Sequence, residues 1–251
     1  MKDPVCSMNV DLREAGAMSI HQGHAYYFCS ADCKKKFNAN PEKYKNIVKA
    51  ERLTIGVMGS AESDDSKVAG VQAFILGEAI GEHDLVLITG ACPGLPYESA
   101  LGARSKGGLS VGISPALSLD EHIYKYESPT GAFDVIIYTG SGLMGREVTN
   151  IRSSDMVVIV GGRSGTLGEF SIAYDEGKLI GVLENSGGIT DSLPVIVNSI
   201  DKDTGAKLIY ESNPEKLVDK LITAYEENHF RKPSCFCSGP QNSGKQNADY
   251  Q

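Results

Sequence analysis

The sequence predicts an open, doubly wound α/β sheet, mostly parallel, with a small N-terminal module in front of it. Three observations lead there. From Leu53 onward, short apolar β-branched runs alternate with stretches of helical periodicity. Several of those runs end in glycine, as strands do where a ligand lies beyond their carboxyl ends. The first 50 residues break this rhythm and hold three of the six cysteines, Cys6, Cys29 and Cys33.

Taken in order, Tyr26-Tyr27-Phe28-Cys29 is aromatic and strand-like, and Ser30 is placed to cap a short helix bearing Cys33 and Phe37. Lys34-Lys35-Lys36 on that helix reads as a solvated face. Pro41 opens a second short helix through Tyr44 and Val48, and Lys49-Ala50-Glu51-Arg52 reads as a linker. Leu53–Met58 is the first strand of the large domain and runs into Gly59-Ser60. A helix over 64–80 places Val68, Val71, Ile75 and Ala79 on one face. Strand Asp84–Thr89 closes on Gly90-Ala91-Cys92-Pro93-Gly94, followed by a helix over about 97–106 and strand Leu109–Ile113. Asp134–Tyr138 is a strand and 144–153 a helix. Met156–Val160 is a fully apolar run, the mark of a strand buried on both faces. Helix 166–176, strand Leu179–Leu183, strand Lys207–Tyr210 and helix 214–228 complete the pattern. Residues 1–50 thus form one unit and 51–230 another. The tail 231–251, rich in Ser, Gly, Asn, Gln and Lys, is expected to be disordered.

Composition narrows the function classes. The net charge of −8 over 251 residues argues against a nucleic-acid partner. No run of 18 apolar residues is present, so no membrane span is expected. Met1-Lys2-Asp3-Pro4-Val5-Cys6 lacks the apolar core of a signal peptide, which makes the cytoplasm the expected location. Clustered cysteines in that compartment point to metal or redox chemistry before structural disulfides.

The richest stretch is Gly161-Gly162-Arg163-Ser164-Gly165-Thr166-Leu167-Gly168-Glu169, between a buried strand and a helix. Such a turn bares backbone N–H groups at the positive end of a helix dipole, a seat for an anion such as phosphate. Glu169 follows one turn later. Two readings stand side by side. Thr166 and Glu169 form a capping box, with Thr166 as N-cap. Alternatively, Glu169 acts on a ligand whose phosphate rests on the turn. The glycines favour the second, because a cap requires none of Gly161, Gly162 or Gly165. Cys92 reads as a small core residue sooner than as a nucleophile, and His83 and His122 as solvated loop residues.

Residues 52–228 resemble the LOG family of Rossmann-like nucleotide-binding proteins. Gly161, Gly162, Gly165, Thr166 and Glu169 match its Gly-Gly-x-Gly-Thr-x-x-Glu signature, and Arg146 in Gly145-Arg146-Glu147-Val148 matches its second hallmark. Val160 stands where the signature usually has proline, which is similar to the branch containing molybdenum-cofactor carriers. The resemblance implies hydrolysis of the N-glycosidic bond of a nucleoside 5′-monophosphate, with Glu169 and Arg146 catalytic and no metal required for the reaction. Gly59, Ser60, Gly90, Gly94, Gly161, Gly162, Arg163, Ser164, Gly165 and Thr166 would contact the nucleotide. A surface or helix-terminal ion pair is the other reading of Arg146. The carrier-like branch implies the alternative, binding of a phosphorylated pterin or nucleotide without turnover. A homodimer or higher oligomer is also implied.

Residues 3–48 resemble the YHS module. Asp3-Pro4-Val5-Cys6-x-Met8 and Tyr26-Tyr27-Phe28-Cys29-Ser30-x-x-Cys33-Lys34-x-x-Phe37 carry the resemblance. It implies a soft or borderline metal. Cys6, Cys29 and Cys33 suit zinc or another thiophilic ion as three thiolates. Met8, His24 or an outside group would be the fourth ligand. Three reduced cysteines packed among the aromatics is the alternative. Cys235 and Cys237 read as incidental.

Overall fold

The computed structural model describes residues 1–12, 14–48, 50–61, 67–200 and 202–227. The expected tail, with Cys235 and Cys237, lies outside the described residues.

A three-stranded antiparallel sheet comes first: β1 (Ala17–His21), β2 (His24–Phe28) and β3 (Glu51–Arg52), with α1 (Ala31–Ala39) packed on it. Ser30 caps α1 as expected, its side chain accepting from the Cys33 N–H. Only Pro41–Lys43 of the second expected helix is helical, as a single 3-10 turn. Where a linker is expected, Glu51 and Arg52 instead pair with Ala25 and His24. Period-two alternation along β2 serves two cores. Tyr26 and Phe28 meet Cys33 and Phe37 on one face, while Ala25 and Tyr27 join Leu53, Leu85 and Tyr225 on the other.

The large sheet has seven parallel strands, in the order β10-β9-β8-β4-β5-β6-β7. They are β4 (Thr54–Gly59), β5 (Val86–Thr89), β6 (Leu109–Ser114), β7 (Val135–Tyr138), β8 (Met156–Val160), β9 (Leu179–Leu183) and β10 (Lys207–Glu211). The chain builds outward from β4 to β7, then returns to the other side of β4 with β8. The direction of winding therefore reverses between β4 and β8, which opens a crevice at their carboxyl ends. Every residue of β8 and β9 is buried, as the unbroken apolar runs require. The connecting helices are α2 (Lys67–Glu82), α3 (Leu95–Ser105), α4 (Leu119–Tyr124), α5 (Gly142–Arg152), α6 (Ser164–Asp175), α7 (Leu193–Ile200) and α8 (Pro214–Glu227). Among the described residues no helix is long and apolar enough to cross a membrane.

Three expectations need correction. Of the expected face of α2 Ala79 is buried, but Val68 and Val71 are 62% and 59% exposed, and Ala69, Ala73, Leu76 and Ile80 turn inward instead. The small residues face inward because α2 lies against α3 at backbone contact. His122 is not a solvated loop residue but a buried one in α4. Its Nε2 faces the Pro129 carbonyl at 3.1 Å and so carries the proton, leaving Nδ1 to accept from the Ser114 hydroxyl at 2.9 Å. Thr166 is not an N-cap: α6 begins two residues earlier and Arg163 holds that position.

The α2–α3 contact carries a stability prediction. A Cβ on Gly77 would stand 1.9 Å from the Ser99 carbonyl oxygen, and one on Gly102 2.0 Å from that of Phe74. Alanine gains about 1 kcal/mol of helix propensity over glycine, but backbone atoms cannot give way without separating the helices. Gly77→Ala is expected to lose about 3 kcal/mol or more. Urea unfolding measures it, and an unchanged midpoint would mean that the helices do not touch there.

Candidate active site and metal centre

A cavity of about 280 Å³ lies at the β4/β8 crevice, lined by residues from the ends of β4 and β5, by α5 and by the first turns of α6. Glycines bring these walls together. Gly94, at φ +75°, lets the Leu95 N–H donate to the Ser60 carbonyl at 2.9 Å, and its Cβ would lie 2.3 Å from that oxygen. The loops after β4 and β5 are thereby tied to each other. At Gly90, a Cβ would fall 1.7 Å from Arg146 Nη1, so the guanidinium lies directly on this backbone.

The α6 N-terminus is open. Arg163 makes no side-chain cap, and the first backbone bond runs from the Leu167 N–H to the Arg163 carbonyl at 2.9 Å. The N–H groups of Ser164, Gly165 and Thr166 precede that bond, on the cavity side of the helix. Residues 163–166, with Gly59, Ser60 and Gly90, line the cavity. Gly94, Gly161 and Gly162 do not line it. The Gly161 N–H donates to Ser186 Oγ at 2.9 Å and so is not offered to a ligand. Gly162 makes room for Thr166, whose Oγ1 would be 2.3 Å from a Cβ there. Ser186 belongs to a further loop, after β9, that the sequence reading passes over.

Glu169 and Arg146 meet inside the cavity, with Arg146 Nη1 3.4 Å from Glu169 Oε1 and both side chains nearly enclosed. The carboxylate thus faces the ligand space and does not reach back to a cap. Burial pushes Glu169 up to about 7; Arg146 opposes the shift, Glu147 adds to it and Asn150 opposes it. Arg146 Nε has no hydrogen-bond partner among the described residues. The helix that carries Arg146 is unusual in burying polar residues, Arg146, Glu147 and Asn150, toward the site. Cys92 also lines the cavity, where burial pushes its thiol up to about 11 and keeps it neutral. Asp155 stands at the opposite end of the sheet, accepting the Thr54 N–H at 2.8 Å. His83 faces Asp219 across 3.0 Å on the surface.

In the N-terminal module Cys6, Cys29 and Cys33 converge, with sulfur–sulfur distances of 3.6 Å for Cys6–Cys29 and 3.8 Å for Cys29–Cys33. A tetrahedral ion with bonds of about 2.3 Å to sulfur sets its ligands about 3.8 Å apart, so the triad has the spacing of a metal site. Asp3 could supply a fourth donor: one carboxylate oxygen and the three sulfurs all lie within 4.8 Å of one another. Asp3 is fully buried. Burial works against its charge, but N–H donors from Cys29, Val5 and Cys6 outweigh it and hold its pKa below the ordinary value. Met8 is 59% exposed, and His24 Nδ1 is taken by the Gln22 carbonyl at 2.7 Å. The sequence signal for Asp3 was its place three residues before Cys6.

An uncharacterized protein of Archaeoglobus fulgidus is 38% identical over 132 residues, covering 53% of this chain and 80% of that one. A copper-transporting P-type ATPase of Rhizobium leguminosarum bv. viciae is 49% identical over 45 residues, which are 18% of this chain and only 5% of the transporter. The solved molybdenum cofactor carrier protein of Chlamydomonas reinhardtii superposes with a TM-score of 0.56 at 26% identity, over 69% of this chain and 99% of that one. Residues 1–48 match the YHS domain. Residues 52–218, more than half of the chain, match the SLOG cluster4 family, and the protein belongs to that family.

Proposed function

We propose that the large domain hydrolyses the N-glycosidic bond of a nucleoside 5′-monophosphate, releasing the base and ribose 5-phosphate. The observation that carries this reading is Glu169, an enclosed carboxyl poised near neutrality beside an uncapped helix N-terminus. The N–H groups of Ser164, Gly165 and Thr166 receive the phosphate, aided by Arg163 at the rim. A cavity of about 280 Å³ holds a sugar phosphate and leaves the base toward the exposed lip at Leu143. As the glycosidic bond lengthens, positive charge grows on the ribose ring. Ionised Glu169 stabilises that charge and accepts a proton from the attacking water. Arg146 fixes Glu169 through Nη1, 3.4 Å from Oε1.

Asp3, Cys6, Cys29 and Cys33 would hold a thiophilic ion, which supplies a structural charge that pins the N-terminal loop to α1. A second reading has a specific observation behind it, the likeness to a molybdenum cofactor carrier along nearly that protein's whole length. In it, the same amides and arginines retain a phosphorylated pterin without turnover. Incubation with a panel of purine and pyrimidine 5′-monophosphates, followed by chromatography of free base, separates the two. Base release from at least one member is expected. No release across the panel, together with a copurifying phosphorylated ligand recovered unchanged, would overturn the hydrolase reading in favour of carriage.

A further inference from the structure

Glu147 has no part in the scheme above, yet it stands in the cavity wall. It is 6% exposed, and its Oε2 has no hydrogen-bond partner among the described residues. The carboxyl lies along the first turns of α6: a Cβ on Gly165 would be 3.6 Å from Oε1, and one on Gly168 3.3 Å from Oε2. Two glycines three apart leave a groove on one helix face, and this side chain fills it. A buried polar atom left unpaired costs about 1–3 kcal/mol, and more when charged. Protonation would lessen that cost and give the orphaned oxygen, at the cavity wall, a proton to donate. Burial accordingly raises the Glu147 pKa, with Arg146 opposing the shift.

Base release needs such a donor. The departing base takes the bonding electron pair onto a ring nitrogen and leaves more readily if a proton arrives with it. Arg146 is too weak an acid, the Cys92 thiol is held at about 11, and Glu169 is required as the carboxylate. We propose that Glu147 is the general acid that protonates the leaving base, an assignment that rests on the hydrolase reading. The C1′–N bond breaks, its electron pair goes to the base nitrogen, and the Glu147 proton follows. Water adds to C1′ and gives one proton to Glu169. The products are the neutral base and ribose 5-phosphate, and the proton on Glu169 restores Glu147 through solvent.

The test pairs two substrates across the full chain. A nucleoside 5′-monophosphate needs leaving-group protonation, whereas 4-nitrophenyl ribofuranoside 5-phosphate does not. Glu147→Gln, of the same shape, is expected to lower kcat on the nucleotide by about 10²–10⁴-fold and on the aryl substrate by less than about threefold. Glu147→Asp keeps a proton and is expected to recover part of the nucleotide rate, with thermal melting checking the fold of both variants. Equal loss on both substrates, or no loss on either, overturns the role of Glu147 while the wild-type rate leaves the hydrolase reading standing. A wild type that cleaves only the aryl substrate overturns the general acid itself. A wild type inert on both overturns the hydrolase reading and this assignment with it.

Discussion

Glu169→Gln is expected to lower kcat for base release by about 10²–10³-fold while changing nucleotide affinity by less than about threefold. Affinity comes mainly from the amides of the α6 turn, which the substitution leaves alone. The rate comes from a charge that matters only when the ribose ring becomes cationic, and glutamine has none to offer. An equal rise in KM with kcat unchanged would mean that Glu169 binds the ground state instead. The same variant carries a stability signature. Glu169 has a folded-state pKa of about 7 against an ordinary 4.5. Below pH 4.5 the group is neutral in both the folded and unfolded protein and costs nothing. Between 4.5 and about 7 the unfolded chain ionises it first, and folding stability falls. Above pH 7 the cost is complete, on the order of 3 kcal/mol. Glu169→Gln is therefore expected to raise the melting temperature at pH 8 and leave it unchanged at pH 4. A fall at pH 8 would show that the ion pair with Arg146 outweighs the burial of the charge.

Cys29→Ser is expected to reduce bound zinc from about one equivalent to less than a tenth, measured by elemental analysis after dialysis against limiting zinc. Cys29 is the middle sulfur, 3.6 Å from Cys6 and 3.8 Å from Cys33, so its loss removes the central one of the three thiolates. Zinc at a hundredfold excess over its dissociation constant stabilises a protein by about 2.7 kcal/mol. That increment is expected in the wild type and absent in the variant. Cys92→Ser serves as the control, because that thiol lies in the other cavity. Equal zinc in the wild type and Cys29→Ser would mean that the cysteine cluster does not hold the ion; core packing is open only to Cys33 and in part to Cys29, because Cys6 is exposed.

Much of this fold can be read from the chain, for a plain reason. A strand buried on both faces must be apolar at every position, and Met156–Val160 and Leu179–Leu183 have no competing interpretation. Glu169, Arg146 and residues 163–166 were likewise marked by the sequence motif, and the structure brings them to one cavity. Other features depend on neighbours that a single chain cannot show. Val68 and Val71 fit a helical stripe, but the crossing with α3 admits only small side chains, and the apolar pair is left outside. Thr166 and Glu169 fit a cap, but the helix begins two residues earlier because Ser164 and Gly165 already turn. Glu147 follows Arg146, and adjacent helical residues usually point apart. Only the groove over Gly165 and Gly168 brings both into one cavity. That i, i+3 glycine spacing on the motif helix was the available hint.

The double duty of β2 has a consequence for how the N-terminal fifty residues behave. Met18, Ala25 and Tyr27 are completed by side chains such as Leu53, Leu85 and Tyr225 from the large domain. Glu226 adds bonds to the Ile20 N–H at 2.6 Å and to Lys34 at 3.2 Å. Severed at the junction, this segment would present a greasy surface to water, so it is poorly suited to be a swinging arm that ferries an ion. It behaves instead as a cornerstone, whose loosening would be felt in the masonry above it.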